Sequence, residues 1–137
     1  MEPLSITSSV ITILQLTGDV IGYLNDVKNA PKECQRCTIE ASNLQSLLIN
    51  LRYRLEECQI GDPWGAAVRS LNVENGPLDQ YKQALEQLQS KVNVGDGARK
   101  VKARLSWRFS KVEVAEILAR MERLKSVINI ALEMDHL

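Results

Sequence analysis

Apolar residues recur along one stretch of this chain at alternating spacings of three and four. Cys34, Cys37, Ala41, Leu44, Leu48, Leu51, Leu55 and Cys58 follow one another without a slip. That spacing is the mark of a single buried face on an α-helix. It predicts a helix of about seven turns with all three cysteines inward, packed nearly antiparallel to the helix before it. Upstream, Ile6, Val10, Ile13, Thr17, Val20, Leu24 and Val27 form a second stripe, which Leu14 and Ile21 widen. The segment Asn25 to Ala30 breaks this first helix, and Pro31 suits the first turn of the second.

Downstream, punctuation and pattern alternate. Gly61-Asp62-Pro63 reads as a stop followed by a start, with Asp62 as cap and Pro63 in the first turn. A short helix then turns Trp64, Val68 and Leu71 inward and ends at Asn75-Gly76-Pro77. The next helix places Leu78, Tyr81, Leu85, Leu88 and Val92 on one face, up to a flexible break at Gly95-Asp96-Gly97. Ser110-Lys111-Val112-Glu113 has the form of a capping box. The last helix turns Val114, Ile117, Met121, Leu124, Ile128 and Ala131 inward, with Leu118 and Leu132 beside them. Abundant helix-forming residues and only 4% aromatics agree with an all-α fold. The 137 residues suffice for one domain, 1–137, with a core of its own. The final helix runs almost to Leu137, so a longer parent protein is expected.

The first helix is unusual in its charge. Across the 21 residues from Leu4 to Leu24 only Asp19 is ionised. A helix of that length spans roughly 31 Å, close to the ~30 Å hydrocarbon core of a bilayer. Ile11, Leu16 and Tyr23 lie off the main stripe and are expected to be more exposed than packing alone requires. Met1-Glu2-Pro3 lacks the positive start of a signal peptide. Serine, threonine, glutamine and Asp19 dilute the segment below a normal membrane span. Its two readings are a core helix, and a helix held in reserve for lipid.

Charge and chemistry narrow the function classes. Seventeen basic residues balance seventeen acidic ones, so no global field favours nucleic acid. Three cysteines without a secretory signal fit reduced thiols in the cytoplasm. Cys34-Gln35-Arg36-Cys37 has the spacing of half a zinc or redox motif, but both thiols fall on the apolar stripe and no second ligand pair exists. The lone histidine, His136, sits one residue from the chain end, a poor place for a general base. No phosphate-binding loop is present. The expectation is a protein without catalytic residues, metal or cofactor.

One local bias remains. From Lys91 to Lys111 there are seven basic residues, including Lys100, Lys102 and Arg104, against the single acid Asp96. Trp107 and Phe109 are interleaved with them. A solvated linker anchored by Leu105, Trp107 and Phe109 accounts for this. So does a patch for anionic lipid, where each basic residue is worth ~1 kcal/mol. Nucleic acid is disfavoured because no recognised binding motif accompanies the charge.

Four phrases in order carry a resemblance. They are Met1-Glu2-Pro3-Leu4-Ser5-Ile6 running into Val10-Ile11 and Leu14-Gln15-Leu16; Ala41-Ser42-Asn43-Leu44 leading to Leu51-Arg52-Tyr53-Arg54-Leu55; Gly76-Pro77-Leu78 with Tyr81-Lys82; and Leu105-Ser106-Trp107-Arg108-Phe109 before Val114, Ile117, Leu124-Lys125 and Ala131-Leu132-Glu133. Together they resemble the HeLo-like N-terminal domain of fungal STAND proteins, the NOD-like receptors, over nearly the whole chain. The resemblance implies a four-helix bundle with an additional short helix. It implies a role in regulated cell death and heterokaryon incompatibility, by homo-oligomerisation, exposure of the N-terminal helix and permeabilisation of the plasma membrane. Gly18 and Gly22 form one G-x-x-x-G in that helix, a spacing that allows close helix packing. The membrane and assembly candidates are therefore Ile11, Leu16, Gly18, Gly22, Tyr23, Lys100, Lys102 and Arg104. A relay module that binds an upstream or downstream signalling protein without touching lipid is the competing expectation.

Overall fold

The computed structural model describes residues 3–27, 29–59, 61–92 and 107–134. Their elements are all helical: α1 (Pro3–Asn25), α2 (Lys32–Glu57), α3 (Pro63–Val68), a 3₁₀ turn (Arg69–Asn72), α4 (Pro77–Val92) and α5 (Lys111–Met134). The stripes read from the sequence are the buried faces. Ile6, Val10, Ile13, Val20 and Leu24 of α1 are buried, as are Cys34, Cys37, Ala41, Leu44, Leu48, Leu51 and Leu55 of α2. Leu78, Tyr81, Leu85 and Leu88 of α4 join one core with Val114, Ile117, Met121, Leu124 and Ile128 of α5. The side chain of Val92 lies outside the described residues.

Landmarks give the helix directions. The Cys34 thiol approaches the Leu24 carbonyl at 3.8 Å, and a β-carbon placed on Gly18 would lie 3.6 Å from Gln45 Nε2. As α2 advances, α1 recedes, so the two are antiparallel. Contacts link α1 also to α4, and α5 to both α2 and α4. Lys125 Nζ stands 3.7 Å from Glu40, while the Trp64 indole N–H, just after α2, donates to the Ala131 carbonyl at 2.6 Å. α2 and α5 therefore run in the same direction.

Local signals set the ends. The Asp62 carboxylate accepts from the Trp64 amide at 2.9 Å, with Pro63 opening α3. The Ser110 amide donates to Glu113 at 2.8 Å and the Glu113 amide to the Ser110 hydroxyl at 3.1 Å, the reciprocal pair of a capping box. Before α4, Asn75 takes a left-handed turn at φ 60° and its amide donates to Asp79 at 2.9 Å. Gly76 must follow, because a β-carbon there would stand 2.7 Å from a Val73 methyl and 2.9 Å from the Val73 carbonyl oxygen.

Two expectations need correction. Pro31 is the residue before α2 rather than within its first turn; it caps the helix with no side-chain hydrogen bond. Cys58 is half-buried, not buried, because α2 ends at Glu57 and the chain leaves the stripe one residue early.

Candidate functional site

The candidate residues of α1 fall on two different sides of the helix. At 100° per residue, Ile11, Gly18 and Gly22 share a line about 140° from the buried stripe, beside the exposed polar residues Ser8, Thr12, Gln15 and Asp19. Leu16 and Tyr23 lie roughly 120° from that line, on a flank. There they are half-buried and pack against the core, so packing does account for them. Ile11 is half-buried and Gly22 is exposed. A β-carbon on Gly22 would meet nothing within 4 Å, and one on Gly18 would make only the ordinary contact with Gln45. The G-x-x-x-G is thus not needed for any close helix approach among the described residues. Lys100, Lys102 and Arg104, with Leu105, lie outside the described residues. Of the basic segment's other groups, Arg108 and Lys111 are exposed, and Trp107 packs against Phe109 with ring centroids 4.7 Å apart and ring planes tilted by 48°.

Inside the fold α1 is fastened by a polar contact that the hydrophobic pattern hides. Thr17 is buried, and its hydroxyl donates to the Ile13 carbonyl at 2.7 Å. A hydroxyl has one proton, so the Tyr81 hydroxyl is the donor in the 2.9 Å contact between the two residues. Burial pushes the Tyr81 phenol well above its ordinary value, with the Thr17 hydrogen bond opposing. The phenol stays neutral and joins α4 to α1. Nearby, Ser8, Ser9 and Thr12 of α1 face Asn72, Asp79 and Lys82 across a shallow polar groove.

Among the described residues, the largest exposed apolar side chains are not on α1. Ile39, Ile49 and Tyr53 of α2 expose 59%, 43% and 67% of their surface. Val112, Ile130 and Met134 do the same on α5. Between α2 and α5 an open groove of about 590 Å³ is lined by Arg36, Ile39, Glu40, Ala115, Leu118, Ala119 and Glu122. Lys125 bridges Glu40 and Glu122, at 3.7 and 3.9 Å, along that rim. The signal for these residues was in the sequence: Ile39, Ile49 and Tyr53 sit off the α2 stripe, as Ile11 sits off that of α1. At the far end of α2, Arg54 lies 4.6 Å over the Trp64 ring and 3.7 Å from Asp62, tying α3 to α2.

The thiols are arranged for packing. Burial raises the pKa of Cys37 to about 12, with the neighbouring Cys34 adding to the rise, and burial raises Cys34 as well. Such thiols are poor nucleophiles at neutral pH. Among the described residues no three histidine, cysteine or acidic side chains come together to hold a metal. No helix among them is long and apolar enough to cross a membrane. Compared with known proteins, the chain matches no family model, no curated protein and no solved structure.

Proposed function

We propose that this chain is a non-catalytic signalling domain of the HeLo-like kind. In this reading α1, α2, α4 and α5 form a four-helix bundle at the N-terminus of a fungal NOD-like receptor or related cell-death protein. It rests in the cytoplasm and acts by homo-oligomerisation, carrying α1 to an anionic membrane. The observation that carries the reading is α1 itself: one charge in 21 residues, and a line of Ile11, Gly18 and Gly22 in which neither glycine is required by a close helix approach. Ser8, Thr12, Gln15 and Asp19 recur at spacings of four, three and four and form a separate polar line. A single such helix is too polar to span, so it enters lipid as part of an assembly in which the polar lines face one another. The basic segment with Lys100, Lys102 and Arg104 supplies attraction to anionic headgroups.

The second reading, a relay module that binds a protein partner, draws on the exposed apolar residues of α2. Leakage from anionic vesicles by the artificially oligomerised domain separates the two. Ile11→Lys places a charge outside the packed core, where it costs little in the folded monomer. In the middle of a membrane-inserted helix it costs roughly 2.5–3.5 kcal/mol. The expected result is a wild-type melting curve with leakage lost. Leakage equal to wild type removes α1 from the membrane and leaves the relay reading.

A further inference from the structure

The outward face of α2 is laid out for a second copy of itself. Along that face run Lys32, Ile39, Ser42, Ser46, Tyr53 and Glu57, all exposed. Arg36 flanks its basic end. The order is basic, apolar, small, apolar, acidic, and it is nearly symmetric in apolar character but opposite in charge. The midpoint between Ile39 and Tyr53 is Ser46. We propose that two copies pair α2 against α2 antiparallel about a two-fold axis at Ser46.

The geometry follows from that axis. Tyr53 of each copy lies at the height of Ile39 of the other, and the two contacts are about 21 Å apart along the helix. This is the isologous arrangement, in which residue i meets j and j meets i. Glu57 of one copy falls level with Gln35 of the other, between Lys32 and Arg36, so opposite charges meet at both ends. A parallel pairing would set like charges together instead. At the centre Ser46 meets Ser46 and Ser42 lies level with the exposed Asn50 of the other copy, short side chains that let the helices approach. Competing demands on these charges are weak: the Glu56–Arg52 pair beside Glu57 is an exposed i,i+4 contact at 3.3 Å. Large exposed apolar side chains in register with complementary charge mark an interaction surface. This inference rests on the self-association in the proposed reading and names its surface; it does not depend on the membrane step.

The test is sedimentation equilibrium of the whole chain, paired with cross-linking. A reversible dimer is expected, and Tyr53→Ala or Ile39→Ser should convert it to monomer with an unchanged melting curve. Lys32→Glu should weaken it, and adding Glu57→Lys should restore it. In a Cys58→Ser background, Ser46→Cys on the axis should form a disulfide dimer under mild oxidation, far faster than Asn50→Cys off the axis. A chain that stays monomeric at every concentration overturns the proposal, and so does a dimer that survives Tyr53→Ala. Loss of function in α2 variants of a strictly monomeric chain assigns the face to a different protein and overturns the second copy. Vesicle leakage is read separately. A dimer without leakage removes the membrane step alone, and leakage from a chain that stays monomeric removes the α2 dimer alone.

Discussion

α1 and α2 invert what their sequences advertise. α1 has one ionised residue between Leu4 and Leu24, yet none of its described large apolar side chains is fully exposed. Its outward line ends in two glycines. α2 carries charge along its length, yet exposes Ile39, Ile49 and Tyr53. Apolar composition and apolar surface are therefore different quantities. The first measures how much a helix could bury, and the second is what its neighbours leave uncovered. A nearly uncharged helix flanked by α2 and α4 becomes quiet. A charged helix with one free face becomes the sticky one.

The comparison breaks first if the α2 register is wrong. Leu48 is fully buried at the middle of the stripe, and Glu57 is exposed at its end. Leu48→Ala should cost ~2–5 kcal/mol in denaturant melts through the cavity it opens. Glu57→Ala should stay within about 0.5 kcal/mol. Equal effects would put the stripe on the wrong side of α2 and free Ile39 and Tyr53 from their assignment.

The fastening of α1 is tested by two threonines. Thr17 bonds across to Tyr81, whereas Thr38 on α2 is half-buried and returns its hydroxyl to the Cys34 carbonyl of its own helix at 2.9 Å. Thr17→Val should cost ~1–3 kcal/mol, because the Tyr81 hydroxyl is left buried without its partner. Thr38→Val should be nearly neutral. If the two melts match, α1 is held by its apolar stripe alone.

The thiols of α2 grade its burial from one end to the other. A bulky alkylating reagent should modify Cys58 first and leave Cys34 and Cys37 protected in the native state. Cys37 also gives a pH signature. Its folded pKa of about 12 exceeds the ordinary 9.0, so its neutral form is favoured by folding. That contribution is complete below pH 9 and is lost as the pH climbs from 9 toward 12. Melting temperature against pH should fall through that window, and less steeply in Cys37→Ala.

The smallest effect sharpens the α1 side. A methyl group on Gly22 meets open space, so Gly22→Ala should stabilise the fold by up to about 1 kcal/mol through helix propensity. If it destabilises, the outward line of α1 is covered by something that the isolated fold does not contain.

The helices were legible because each repeats one physical requirement, a buried stripe, many times. Asp62-Pro63 and Ser110-Glu113 were legible because caps are local chemistry with fixed spacing. Contacts between distant residues were not. Thr17 read as a stripe position, but nothing in the pattern could say that Tyr81, 64 residues on, would supply its partner. Trp64 read as inward, but its hydrogen bond to Ala131 depends on where α5 ends. Among the candidate residues, the spacing put Ile11, Leu16 and Tyr23 off the stripe, and all three are half-buried rather than exposed. The reason for Leu16 and Tyr23 is that a flank counts as exposed on a wheel and as packed once neighbours are present.

The two tryptophans give this molecule a pair of built-in optical probes. Trp64 is 6% exposed, its indole N–H held by Ala131 and its ring covered by the Arg54 cation. Trp107 is half-buried beside Phe109, in the stretch that leads into α5. A collisional quencher in solution should therefore dim one emitter well before the other. With Trp107→Phe, the remaining light reports only the corner where α2, α3 and the last turn of α5 meet, so loosening of that corner can be followed separately from events at the start of α5.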